Sequence, residues 1–253
     1  MSRMFPFITE TWNPLGGRCP HQCVYCWSRR LEKRYGLKKY QGEPRLIMSE
    51  LKRKFKRGAF VFTQDMTDLF ADNVPTRLIL KVLDVEREHP KVKFLHMTKN
   101  TKRYISLAKE KEFPPNVVLG ATVETDFYRF SGLRDGDFFI LDELIEYEEI
   151  SRAPPPQERL RHLLKLRQIA DNPIFISIEP ILDFSTNPRL SPRFVDRIKM
   201  VKPWAVAVGY DNYHNKLPEP PLKKTLRLIE ELEKFTIVYR KAIRKAWWET
   251  KGG

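Results

Sequence analysis

Short, unbroken apolar runs return at intervals along this chain, and stretches with helical spacing separate them. The runs are Phe5–Thr11, Ala59–Thr63, Val92–Met97, Asn116–Val123, Pro173–Ile178 and Trp204–Val208, with Phe235–Tyr239 as a further short candidate. Helices are expected over Ser28–Tyr40, Leu46–Lys56, from Pro75 to about His89, up to Lys111, and over Gln157–Ala170, Phe194–Met200 and Leu222–Lys234. Strands alternating with helices argue for a parallel sheet joined by right-handed crossovers. Runs with no polar alternation argue that both sheet faces are covered. About six such units fall short of the eight that close a full barrel. The sequence therefore predicts an α/β fold, a partial, open βα barrel of about six parallel strands. An open doubly wound sheet is the alternative.

Polar residues recur where the apolar runs stop. Asp65 and Asp68 follow the second run, Thr98 and Lys99 the third, Thr122 and Glu124 the fourth. Glu179 ends the fifth, and Tyr210 and Asp211 end the sixth. In a βα barrel these positions converge at the carboxyl ends of the strands, where chemistry sits. Any one of them alone is more often a helix cap. Their recurrence across successive strands marks one face as the candidate site.

The loop after the first run holds all three cysteines, Cys19, Cys23 and Cys26, in a C-x3-C-x2-C spacing. Such close thiols can meet one metal centre without a long loop to close. Thiolates are soft ligands, suited to iron–sulfur clusters or to zinc. A cubane cluster usually takes four cysteines, so three would leave one iron open to chemistry. A zinc site of three cysteines plus His21 or another histidine is the alternative. A disulfide framework fits poorly, because the cysteines are odd in number and crowded. No cysteine remains for a second cluster.

The spacing, with Tyr25 just before the last cysteine, resembles the signature of the radical S-adenosylmethionine enzymes. That resemblance implies a [4Fe-4S] cluster on Cys19, Cys23 and Cys26, whose fourth iron holds the amino and carboxylate groups of S-adenosylmethionine. It implies reductive cleavage to methionine and a 5′-deoxyadenosyl radical, with an electron donor as partner. It also implies the partial, TIM-barrel-like fold expected above. The bound cofactor would need a carboxylate for its ammonium, and Asp65 is placed to supply one. Lys99 suits its carboxylate, Thr122 and Glu124 its ribose hydroxyls, Tyr25 one wall of the adenine slot, and Glu179 is counted with this cofactor-binding set. Where the superfamily usually has a Gly-Gly-Glu-like turn, this chain has Thr63-Gln64-Asp65.

A second resemblance runs through most of the chain. It rests on Trp12-Asn13-Pro14, Met66-Thr67-Asp68-Leu69-Phe70, Val74-Pro75, Thr98-Lys99, Asn116-Val117-Val118-Leu119-Gly120, Ser177-Ile178-Glu179-Pro180 and Trp204 through Gly209. Their order is similar to that of a phage-associated and prokaryotic family of unknown function. That resemblance narrows the cofactor but names no reaction. Two departures stand out. One is an acidic excursion over about 125–156, whose middle carries Asp135, Asp137, Asp142, Glu143, Glu146, Glu148 and Glu149 with no basic residue. It reads as a solvated helix, with a lid or an internal mimic of a polyanion as the alternative. The other is a basic, Trp-bearing C-terminal segment over about 240–253. It reads as a helix with Ile243 and Trp247 packed on the barrel, or else as a surface for nucleic acid.

At 253 residues, with no flexible linker, the chain is expected to form a single domain. A net charge of +14 favours a polyanionic partner, nucleic acid first, against a Lys-rich solvated surface. The basic run Arg29, Arg30, Lys33, Arg34, Lys38 and Lys39 stands beside the cysteine loop. No apolar run reaches the length of a membrane span. No signal-peptide pattern opens the chain, so a reducing cytoplasm is expected. The leading expectation is a radical S-adenosylmethionine enzyme whose substrate is a nucleic acid to be modified or repaired. The rival is a zinc-stabilised nucleic-acid-binding module without catalysis.

Overall fold

The structure, a computed structural model, describes residues 4–130, 144–187 and 192–249. Seven strands form one sheet: β1 (Glu10–Trp12), β2 (Phe60–Thr63), β3 (Lys93–Thr98), β4 (Val117–Thr122), β5 (Ile174–Ile178), β6 (Ala205–Val208) and β7 (Ile237–Arg240). Every neighbouring pair is parallel, and the spatial order is the sequence order. A doubly wound sheet reverses its strand order at a switch point. This one never does, so it curls in one direction into a half-barrel. The alternative fold is thereby set aside, and the short run near residue 237 is the seventh strand.

Helix α1 (Trp27–Tyr35) follows the cysteine loop and buries only Ser28, while α2 (Thr76–Arg87), α3 (Lys102–Glu110), α4 (Pro156–Leu166), α5 (Phe194–Val201) and α6 (Leu222–Glu233) cover the convex face. Alternation within each strand divides its side chains between two cores. Val61, Phe94, Leu119, Ile176 and Val206 pack outward against helix residues such as Ile79, Val82, Leu163 and Ile229. Phe62, Leu95, Val118, Phe175 and Ala205 point into the concave side. Both faces are buried, which is why the strands read as continuous apolar runs.

The concave side is filled by the chain's own N-terminal segment. Phe5 and Ile8 are buried there, Phe5 against Phe62 and Phe175. Phe7 stacks on Phe5 and reaches Phe60, Trp204 and Tyr239. The expected strand Phe5–Thr11 is thus shorter, with only Glu10–Trp12 paired as a strand. Pro6 has no N–H for a ladder, and the neighbouring aromatic rings gain more by filling the barrel.

Three other expectations change. The first helix ends at Gly36, whose backbone is left-handed at φ 60° and donates to the Glu32 carbonyl. The expected helix Leu46–Lys56 shrinks to the single turn Met48–Leu51. There Trp12 Nε1 donates to the Glu50 carbonyl and Arg53 donates to the Thr11 carbonyl, so the segment serves β1 instead of its own helix. The acidic excursion is not a solvated helix in its described part. Arg129–Phe130 pairs with Ile145–Glu146, and one helical turn, Tyr147–Ile150, follows under a capping box of Glu146 and Glu149. Asp135, Asp137, Asp142 and Glu143 lie outside the described residues.

The C-terminal segment forms β7 and then an irregular stretch. Arg240 pairs with Glu233, and Arg244 forks onto buried Glu219 at 2.7 and 2.8 Å. The indole N–H groups of Trp247 and Trp248 donate to the carbonyls of Leu217 and Glu219. These groups hold the loop after β6, which explains the aromatic and cationic character that resembled a nucleic-acid surface. Among the described residues no helix is long and apolar enough to cross a membrane.

Candidate active site

The carboxyl ends of the strands surround a cavity of about 760 Å³, within the range of small-molecule sites. Cys19, Cys23, Cys26 and Tyr25 line it from the loop after β1. Asp65 and Asp68 come from the loop after β2, Lys99 from β3, Thr122 from β4, Glu179 from β5, and Tyr210 and Asp211 from β6. Of the strand-end polar residues, all but Glu124 meet on one surface.

Asp68 ties three of these loops together. Its buried carboxylate accepts from His21 Nε2 at 2.8 Å, Thr98 Oγ1 at 2.8 Å, and the Lys99 and Phe70 N–H groups at 2.9 Å. Burial pushes its acidity toward the neutral form. The bonds from His21, Lys99 and Thr98 outweigh that and hold it below the usual carboxylate range. The cysteine loop is thereby fixed to the ends of β2 and β3.

Gln64 does a second tying task. It adopts a left-handed backbone at φ 66°, a conformation uncommon outside glycine. Its side-chain amide both accepts from the Leu15 N–H and donates to the Leu15 carbonyl, each at 2.9 Å. This turn replaces the glycine-rich one expected by resemblance and anchors the entry to the cysteine loop. The next residue, Asp65, is held by Asn13 Nδ2 at 2.6 Å, and burial raises its pKa against that bond.

Glu124, expected to meet ribose hydroxyls, does not line the cavity. It is fully buried behind Tyr25, whose hydroxyl donates to Oε1, while Arg159 Nη1 donates to Oε2 at 2.7 Å. Arg159 also donates to the Thr122 carbonyl and to the Tyr147 hydroxyl. Burial alone would raise the pKa of Glu124, but Arg159 and Lys99 lower it on balance. Lys99 stands 5.4 Å from the Tyr25 ring centre. Burial disfavours its charge, yet the negative charges of a Cys23 thiolate and of Glu124 hold its pKa above the ordinary value. Burial and then Asp68 push the Cys19 thiol up; a bound metal ion would reverse that by binding the thiolate.

On the far wall, Glu179 lies 3.4 Å from Lys241, whose ammonium also donates to the Met4 carbonyl. At the mouth, the Arg30 guanidinium lies 4.8 Å from the Tyr213 ring centre and donates to Asn215. Sequence reasoning missed Gln64, Tyr147, Ser151, Arg159 and Lys241. Each lies in a stretch that looks like loop or surface until its distant partner is known.

Three thiols around one cavity, with no fourth cysteine in the chain, suit an iron–sulfur group with an open position. Among the described residues no three His, Cys, Asp or Glu side chains stand close enough to share a single metal ion.

Residues 4–135, just over half of the chain, match the family described as a protein of unknown function, DUF5131. The chain belongs to the DUF5131 family. No curated protein matches it. Among solved structures, a double mutant of spore photoproduct lyase, with bound AdoMet and a dinucleoside spore photoproduct, aligns at 11% identity and a TM-score of 0.53. The alignment covers 93% of this chain and 65% of that one. Two structures of Streptococcus suis SuiB align at 10% and 12% identity with TM-scores of 0.48 and 0.49. One is bound to the precursor peptide SuiA and the other to S-adenosylmethionine; each alignment covers 93% of this chain and about half of that one. The likeness to spore photoproduct lyase shows the fold alone: this DUF5131 chain is a partial βα barrel like that enzyme's.

Proposed function

We propose that this DUF5131 chain is a radical S-adenosylmethionine enzyme, of the phage-associated branch that its motifs resemble, folded as a single domain and acting in a reducing cytoplasm. The observation that carries the reading is the convergence of Cys19, Cys23 and Cys26 with Asp65, Lys99 and Thr122 on one cavity. The three thiolates would hold a [4Fe-4S] cluster. The chemistry such a group would supply, given one electron from a donor, is cleavage of S-adenosylmethionine to methionine and a 5′-deoxyadenosyl radical.

The chain's own residues bind and orient. Asp65, steadied by Asn13, accepts from the cofactor's ammonium, and Lys99 meets its carboxylate. The Thr122 hydroxyl serves the ribose, while Glu124 acts one step back by aligning Tyr25 as a wall of the adenine slot. The aromatic filling below the cavity excludes water from the reacting end. Substrate then occupies the wall of Glu179, Lys241, Asn212 and Tyr213. A nucleic acid is the substrate class that the +14 charge favours. Its phosphates would follow Arg29, Arg30, Lys33 and Arg34 at the rim, with a base stacked on Tyr213.

The test is reconstitution with iron and sulfide without oxygen, followed by reduction in the presence of S-adenosylmethionine. The expected products are 5′-deoxyadenosine and methionine. The double variant Asp65→Ala/Thr122→Ala is expected to keep its iron and to bind the cofactor at least tenfold more weakly. Iron-loaded, reduced protein that neither binds nor cleaves S-adenosylmethionine would overturn the reading.

A further inference from the structure

The described end of the excursion after β4, from Tyr147 to Arg152, packs against the cysteine loop. The Val24 N–H donates to the Ile150 carbonyl at 3.0 Å, and the Arg152 N–H donates to the His21 carbonyl at 2.8 Å. Between these two main-chain bonds, Ser151 Oγ lies 3.0 Å from Cys23 Sγ. Both residues are buried, Ser151 at 1% and Cys23 at 7% exposure. Tyr147 and Ile150 pack on Cys23 and Tyr25 in the same small core. The segment that reads in sequence as an acidic insertion thus delivers one hydroxyl to one cysteine sulfur.

The direction of that bond follows from its surroundings. Ser151 Oγ already accepts from the Ala153 N–H at 3.2 Å. Its own hydrogen remains able to point at the sulfur, and with a protonated thiol either atom could donate. A thiolate bound to a metal has no proton to give and can only accept, which fixes the hydroxyl as donor.

We infer that Ser151 sets the reduction potential of the iron–sulfur group by donating a hydrogen bond to the Cys23 sulfur. The inference rests on the three cysteines being cluster ligands. Hydrogen bonds to cluster sulfurs are among the factors that fix potential, together with net charge and solvent exposure. Reduction adds negative charge that is shared with the sulfurs. A donor aimed at one of them stabilises the reduced form more than the oxidised form, and burial keeps water from substituting for it. Ser151 acts through Cys23 and does not touch substrate.

The experiment is a redox titration of the reconstituted full chain, followed by absorbance and electron paramagnetic resonance, for the wild type, Ser151→Ala and Ser151→Thr. At a fixed solution potential the ratio of reduced to oxidised cluster should fall on the order of tenfold in Ser151→Ala, about 59 mV for a one-electron couple. Ser151→Thr, which keeps the hydroxyl, should restore most of it. Iron content and urea midpoint identify a merely structural loss. Should Ser151→Ala fail to hold iron, wild-type protein exchanged into D2O decides the matter. Its cysteine-sulfur-to-iron stretching bands should move on exchange, and unmoved bands would overturn the inference. An unchanged potential in iron-replete Ser151→Ala would overturn it as well. Wild-type protein that takes up no cluster removes the functional reading and this inference with it.

Discussion

Glu124 and Arg159 are each fully shielded from solvent and meet at 2.7 Å. Removing one partner of such a pair leaves a buried charge without compensation, at a cost of about 3–5 kcal/mol. Arg159→Met should therefore lower unfolding stability by about that amount in urea titrations at neutral pH. A loss under about 1 kcal/mol would contradict the pairing. The pair also has a pH signature. The pKa of Glu124 is lowered on folding, below an unfolded value of about 4.3. Its contribution is then present above that value and is lost as pH falls through the folded pKa. Asp68 behaves likewise, from an unfolded value of about 3.9. The acid loss of stability should be shallower in Arg159→Met than in the wild type, because Glu124 no longer titrates so low. At this scale the sequence reveals residues that interrupt a pattern. Cys19, Cys23, Cys26, Asp65 and Lys99 stand out because polar groups follow apolar runs. Arg159 does not, since it resembles its neighbours Arg161 and Lys165, and its burial depends on distant partners: the Thr122 carbonyl, Glu124 and Tyr147.

Elements were legible where local pattern and tertiary demand agree. Helix α2 and strands β2 to β6 lie where the apolar spacing puts them, because each buries the face its sequence presents. The segments flanking the barrel's open side were not. Phe5–Thr11 has strand-like composition, yet its first half fills the concave side. The turn Met48–Leu51 has helical spacing around it, yet Arg53 and Glu50 are engaged by β1. The filling makes a prediction of its own. Phe5, 4% exposed, contacts Phe7, Phe62 and Phe175. Phe5→Ala should cost about 3–5 kcal/mol in a denaturant titration, the usual range for a buried phenylalanine. It should also expose the concave side to a dye that binds apolar surface. A variant as stable as the wild type would mean that the segment lies on the barrel without holding it.

At the scale of the molecule, seven parallel strands in sequence order bring each strand end to one mouth. The alternation of apolar runs and helices made that architecture readable, and the seventh strand extends the expected count. The way the open side is covered was beyond sequence reach. It depends on the N-terminal segment, on Lys241 at Met4 and Glu179, and on Arg30 at Asn215 and Tyr213, all contacts between distant parts of the chain. Whether the three cysteines at the mouth of this half-barrel hold the proposed iron–sulfur cluster is tested by metal and sulfide content, with the visible spectrum, of anaerobically purified protein beside a variant with Cys19, Cys23 and Cys26 all changed to Ala. The expected result is a brown protein with about four iron atoms and as much sulfide per chain, absorbing near 400 nm, and a colourless triple variant. A colourless wild type carrying about one zinc per chain, or equal iron in both proteins, would contradict it.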